Sequence, residues 1–317
     1  MHKWRITLFV TVITIMVYAT SPADKVSAEV VEGAQSADAL KNHVIELSHN
    51  IGERNYWFYK NLEKAAEYIK GQFESFGYEV ELQTYEFDDK KFSNVIAIKK
   101  GDVAPDEIII VGAHYDSVMG GPGADDNASA VAGLLELARM FSSEKTEKTI
   151  KFVAFVNEEP PYFLTEKMGS RVFAKAARFK GENIVAMVCL EMIGYYDSKP
   201  NSQDYPPLYN FFYPDTANFI ALVSSFSSMP LLKRVEKSFK KHSDFPIESI
   251  VAPSIVVGVD WSDHSSFWKY GYKAIMVTDT SFYRYPHYHS QADTYEKLDY
   301  ESMVEVVKGL FHAIAEL

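Results

Sequence analysis

The chain has 317 residues, of which 47% are hydrophobic, 14% aromatic and 24% charged, the balance of a folded protein with a buried core and not of a disordered or collagen-like one. Its 32 Lys and Arg stand against 43 Asp and Glu, a formal net charge of −11, which argues against nucleic acid or an anionic membrane as partner. Cys189 is the single cysteine, so no internal disulfide can form, and within Val185-Ala186-Met187-Val188-Cys189-Leu190 it reads as a small buried hydrophobe.

At the start of the chain, Lys3 and Arg5 precede an apolar stretch from Ile6 to Tyr18, and Val26-Ser27-Ala28 offers a small-residue cleavage site. Residues 1–28 are therefore expected to be a signal peptide, its apolar core too short for a comfortable membrane span. An uncleaved anchor or a buried N-terminal helix is the competing reading. Cleavage would leave residues 29–317 as a single domain with 29 basic and 42 acidic residues, net charge −13. It would be secreted or held in the periplasm or cell envelope, with no stable membrane insertion.

Further along, Leu62, Ala66, Ile69, Phe73 and Phe76 recur at 4,3,4,3 spacing before Gly77, which predicts an amphipathic helix with a glycine stop. Val80 and Leu82 open an alternating segment and Val95 to Ile98 another, as in strands covered on one face. Near-continuous apolar runs at 108–111, 150–156, 184–190 and 274–277 suit strands buried on both faces. Helical patterns lie between them at Val131, Leu134, Leu135, Ala138 and Phe141, and at Val172, Phe173 and Ala176. A last helix carries Met303, Val306, Val307, Leu310, Phe311 and Ile314. The alternation predicts a three-layer α/β/α sandwich around a mixed, largely parallel sheet.

Ligands of open α/β sheets gather outside the carboxyl ends of the strands. The first apolar run leads into His114-Tyr115-Asp116 and the second into Asn157-Glu158-Glu159. The third ends at Glu191, and the fourth precedes an aromatic loop holding His287, Tyr288 and His289. Gly121-Pro122-Gly123-Ala124-Asp125-Asp126-Asn127 adds two carboxylates before the Val131 helix. Singly, each piece has a plain reading: Asp125 to Asn127 as a helix cap, Glu158-Glu159 as a solvated turn, His114 or His289 as a structural histidine. As a set they do not, because carboxylates clustered at one sheet edge repel each other unless protonated or bridged by cations.

Histidine nitrogen with carboxylate oxygen and no thiolate suits zinc, with manganese or cobalt as replacements. Asp116, two residues after His114, fits an acceptor that fixes the imidazole tautomer. Two adjacent glutamates at one strand end allow one to coordinate metal while the other handles the proton of a metal-activated water.

Taken together, the stretches His114-Tyr115-Asp116-Ser117, Pro122 to Ser129, Asn157-Glu158-Glu159, Ser262 to Phe267, and His289 with Asp293-Thr294 resemble the zinc-dependent exopeptidase superfamily of bacterial leucyl aminopeptidases, glutamate carboxypeptidase and glutaminyl cyclase. The resemblance spans roughly residues 40–317. It implies two zinc ions bridged by Asp126, one also held by His114 and Glu191, the other by Glu159 and His289. It makes Glu158 the general base, and a peptide the substrate, hydrolysed from its amino end by a metal-bound hydroxide. Tyr288, beside a ligand, could donate to the tetrahedral oxyanion. Asp263 and His264 read either as outer groups that steady the ligands or as purely structural residues, and not as ligands themselves.

In three places the sequence departs from that pattern. Glu191 stands where an Asp is more familiar, so the reach of that ligand changes. Pro160-Pro161 replaces a glycine-rich turn, and residues 201–253 are expected to be an insertion forming part of the pocket wall. Two other readings stay open: a cyclase of the same fold with one zinc, and a non-catalytic ectodomain-like protein that has lost its metals.

Overall fold

The computed structural model describes residues 36–317; the expected leader at 1–28 lies outside the described residues. Residues 36–45 are helical (α1) and continue into a wider turn, Glu46–Ile51. The helix foreseen from the 4,3,4,3 pattern is α2 (Tyr59–Ser75), which buries Leu62, Ala65, Ile69 and Phe73. It stops where Gly77 takes φ +88°, a backbone region open mainly to glycine.

Next comes a hairpin, β1 (Val80–Phe87) and β2 (Lys90–Lys99), closed by Asp88 and Asp89, both at positive φ. Two such residues match the right-handed twist of the strands they join. Then follow β3 (Ala104–His114), α3 (Ala130–Ser142), β4 (Lys148–Phe155), α4 (Gly169–Lys180) and β5 (Asn183–Glu191). The last third holds β6 (Ile220–Ser224), α5 (Met229–His242), β7 (Ile247–Val251), α6 (His264–Lys269), β8 (Ala274–Thr278) and α7 (Tyr300–Ala315).

All eight strands form one sheet in the order β1-β2-β4-β3-β5-β8-β6-β7. Its centre, β4-β3-β5-β8, is parallel, while β1-β2, β2-β4 and β6-β8 pair antiparallel. One face packs against α1, α2, α3, α5 and α7 through residues such as Leu40, Phe73, Leu134, Phe239 and Leu310. The other packs against α4 and α6 through Phe173 and Phe267, and there Cys189 is buried as a small hydrophobe. This is the expected three-layer mixed α/β/α sandwich. No helix among the described residues is long and apolar enough to cross a membrane.

One expectation needs correcting. Residues 201–253 are not simply a wall inserted into the pocket, because β6, α5 and β7 within them extend the sheet in a parallel unit. The strands escape notice because each is only five residues long and β7 reads Ile-Glu-Ser-Ile-Val, with no continuous apolar run. The wall role holds as well: the preceding loop, with Tyr205, Tyr209 and Tyr213, and residues of β6 and β7 such as Ala221 and Glu248 all line one cavity.

Candidate metal centre

Because the four central strands run parallel, their carboxyl ends share one edge. His114 and Glu191 are the last residues of β3 and β5, Glu158 and Glu159 follow β4, and the loop after β8 carries His289. Asp126 arrives from the loop before α3, where it and Asn127 lie outside helical φ/ψ. Gly123 makes this approach feasible: it sits at φ +62°, and a Cβ there would lie 2.2 Å from the Asp126 carbonyl oxygen.

Asp126 stands between the two histidines. Its Oδ1 is 3.4 Å from His114 Nε2 and its Oδ2 is 3.0 Å from His289 Nε2. Glu191 Oε2 is 3.3 Å from His114 Nε2, and Glu159 Oε1 is 3.4 Å from His289 Nε2. Two donor groups result, His114/Asp126/Glu191 and Asp126/Glu159/His289, each with its ligand atoms within 4.8 Å of one another. Tetrahedral coordination at about 2.0–2.1 Å from zinc places ligand atoms about 3.3–3.4 Å apart, so these spacings suit the ion. Asp126 Oδ1 and Glu159 Oε1 are buried without a hydrogen-bond partner, the state expected of oxygens shaped to hold a cation. Nitrogen and oxygen donors without sulfur fit zinc. Glu191, despite its extra methylene, reaches the first group.

Electrostatics point the same way. Burial pushes the Glu158 carboxyl well above its usual range, with Glu191 and Glu159 adding to the push against His114. Burial and Asp126 raise Glu159 to about 7 against the pull of His289, and Glu191 rises chiefly through burial. Burial alone would lower both imidazoles. Instead Glu191 and Glu158 lift His114 well above its usual value, and Asp126 and Glu159 lift His289 to about 10. Imidazoles that rise against burial mark a negative local field, which favours cations. Asp126 is the exception: burial opposes its charge, but an imidazole on each side holds it below the ordinary carboxylate range.

A set of neutral and ionic braces fixes this cluster. His114 Nδ1 lies 3.2 Å from the Asp116 carbonyl oxygen and 3.5 Å from its Oδ1. The two carboxylate oxygens of Asp116 accept the backbone N–H groups of Glu158 and Glu159 at 3.1 and 3.0 Å. Asp116 thus orients one ligand and positions two more residues, a wider task than fixing a tautomer. Asp293 accepts the N–H groups of Asp125 and Asp126, and Ser262 donates to Glu191 Oε2 at 2.6 Å. Asn127 accepts the N–H of Met192 at 2.9 Å just beyond Glu191.

Arg54 went unnoticed in the sequence. Fully buried, it donates to the carbonyl oxygens of Tyr115, Pro122 and Gly123 at 2.7, 2.6 and 2.9 Å. It thereby ties together the loops that carry Asp116 and Asp126. Burial lowers its pKa to about 10, against the attraction of Asp116, Asp293 and Asp126. No local pattern marks it, because its shortest bonds go to main-chain atoms distant in sequence.

Tyr288 stacks on His289 with ring centroids 3.8 Å apart. Burial, then the carboxylates of Asp126, Glu159, Glu191 and Glu158, raise its pKa steeply, so the hydroxyl keeps its proton and can donate. Asp263 is fully buried with neither carboxylate oxygen hydrogen-bonded, and burial lifts it to about 7. His264 is not brought to the ligands: its Nε2 is 2.8 Å from the Val259 carbonyl oxygen and its ring meets Trp268 edge-on. His287 likewise joins neither donor group.

Known proteins share both the sequence pattern and the fold. The Escherichia coli K12 protein YfbL, described as uncharacterized, is 38% identical over 286 residues, covering 87% of this chain and 86% of that protein. A probable leucine aminopeptidase of Trichophyton verrucosum is 26% identical over 297 residues, 89% of this chain and 71% of that one. The structure of BSAP, a zinc aminopeptidase from Bacillus subtilis, matches with a TM-score of 0.71 at 16% identity, covering 88% of this chain and 94% of that chain. That likeness shows a shared fold. The sequence pattern of peptidase family M28 matches residues 94–314, a span that includes every candidate ligand from His114 to His289, and the chain belongs to that family.

Proposed function

We propose that the protein is an exported zinc-dependent aminopeptidase that hydrolyses N-terminal residues from peptides. The observation that carries this reading is the pair of donor groups sharing Asp126, with Glu158 beside them and in neither. His114, Asp126 and Glu191 would hold one zinc ion, and Asp126, Glu159 and His289 the second. Bound there, zinc supplies Lewis acidity, polarising a peptide carbonyl and making water acidic enough to attack at neutral pH.

The chain's own residues do the rest. Glu158 Oε2 lies 3.8 Å from His114 Nε2, and its raised pKa suits a base that takes a proton from the attacking water and returns it to the leaving amine. Asp116 holds the Glu158 backbone in place while that proton moves. The Tyr288 hydroxyl, kept protonated, donates a hydrogen bond to the developing oxyanion. Two donor groups favour the hydrolase over a single-zinc cyclase, for which His114 and Glu191 would be surplus.

Three outcomes follow. Glu158→Gln should retain its metal yet lower turnover about 100-fold or more, since proton transfer goes while every ligand stays. Wild-type turnover in a metal-replete variant would remove Glu158 from this role.

Metal-free protein should lose stability as pH rises from 5 to 8. Glu159 binds its proton more tightly folded, at about 7 against a usual 4.5, and His289 at about 10 against 6.5. Both contributions favour the folded state below the ordinary pKa and fade as pH climbs towards the raised one. A chelator-treated sample whose Tm is flat or rises over that range would contradict the negative field.

Export is supported by the basic start, the apolar stretch and Ala28. Intact-mass measurement on protein collected outside the cytoplasm should find Glu29 or a near neighbour first, and retention of Met1 would count against cleavage.

A further inference from the structure

Beside the metal centre a cavity of ≈ 110 Å³ opens between β6, β7, β8 and the loops around 205 and 258, with Glu191 and Tyr288 in its lining. On the scale where an engineered cavity of about 150 Å³ takes up a benzene molecule, it has room for much of a side chain. The sheet register shows how it is laid out. Glu191 pairs with Thr278, Thr278 with Ala221 and Ala221 with Glu248, so a single row crosses β5, β8, β6 and β7. Residues in register point to the same face, and all four line the cavity. Three strand spacings put the Glu248 backbone about 14 Å from that of Glu191.

Between these ends the walls are aromatic. Tyr205 and Tyr213 stack at 5.7 Å and 28°, Tyr209 and Tyr213 at 6.3 Å and 19°, and Trp261 and Phe282 lie 5.5 Å apart. No Lys, Arg or His lines the cavity. Glu248 has no hydrogen-bond or ion-pair partner among the described residues. Burial raises its pKa, with Lys240 opposing and Glu236 assisting, as for a carboxylate short of a counter-charge.

We infer that this cavity receives the side chain of the substrate's first residue and selects a long cationic one, lysine or arginine, through Glu248. The inference rests on the aminopeptidase reading above. A methylene stem lies along aromatic faces, its cation is attracted to the rings on the way, and the head group meets the unpaired carboxylate at the far end. A short apolar side chain fills only the near part and leaves Glu248 facing water. An exposed Asp204 elsewhere in the lining adds negative potential of the same sign.

The test compares kcat/KM for lysyl, arginyl, norleucyl and leucyl p-nitroanilides on the zinc-loaded full chain. Norleucine matches the lysine stem without its charge, so the wild-type lysine-to-norleucine ratio reads the charge preference with no variant needed. That ratio should be about 10-fold or more, and Glu248→Gln should lower it about 10-fold, mainly through KM for the cationic substrates. A wild-type preference for norleucine or leucine overturns the inference and leaves the aminopeptidase reading standing. So does a ratio that Glu248→Gln leaves unchanged, which would make Glu248 an ordinary edge-strand charge. Absence of cleavage of every p-nitroanilide by zinc-loaded wild type would overturn both.

Discussion

Mutual repulsion among four carboxylates is the constraint around which this structure is arranged. Asp126, Glu158, Glu159 and Glu191 are all buried at one sheet edge, where low dielectric strengthens like-charge repulsion and stranded charge is costly. With both imidazoles neutral and all four carboxylates ionised, the cluster carries a charge of −4, which two divalent ions would balance. Parallel strands deliver the groups from separate elements, and Asp126 faces both histidines at once. Burial, together with the field that would unsettle an empty cluster, raises the Glu158 carboxyl and keeps the Tyr288 phenol protonated, the states that the proposed chemistry needs.

Holding such a cluster open takes rigidity from outside it. Asp116 and Asp293 accept backbone N–H groups of neighbouring site residues, and the buried Arg54 guanidinium links three carbonyl oxygens of the loops between β3 and α3. Asn157 before the glutamates, Met192 after Glu191, and His289 itself all sit at positive φ. Non-glycine residues adopt that conformation at a cost of order 1–3 kcal/mol each, sustained where surrounding bonds determine it and concentrated at functional sites. On the face opposite α1, α2, α3, α5 and α7, helices α4 and α6 cover only part of the sheet. Loops rich in tyrosine cover the rest and leave the cavity next to Glu191.

Much of this was legible in the sequence for a physical reason. Strands buried on both faces must be apolar throughout, so β3, β4, β5 and β8 announce themselves, and a charged residue directly after such a run has to lie at the sheet edge. That logic located His114, Glu158, Glu159 and Glu191. It failed for β6 and β7, which are short and, in β7, partly polar because that strand lies at the sheet margin. Braces were harder to see than ligands. Arg54 acts on main-chain oxygens more than 60 residues away and leaves no local signature; Asp293 stands out in the sequence beside Thr294, but its bond to the Asp125 amide, 168 residues back, does not. His264, two residues after the Ser262 that bonds Glu191, is a structural group: its Nε2 lies 2.8 Å from the Val259 carbonyl oxygen.

The most direct measurement is anomalous diffraction above and below the zinc absorption edge from crystals of the purified protein. Two zinc peaks, one between His114 and Glu191 and the other between Glu159 and His289, with Asp126 between the peaks, are predicted. A single peak, or two that do not share Asp126, would contradict the charge balance on which the site is built.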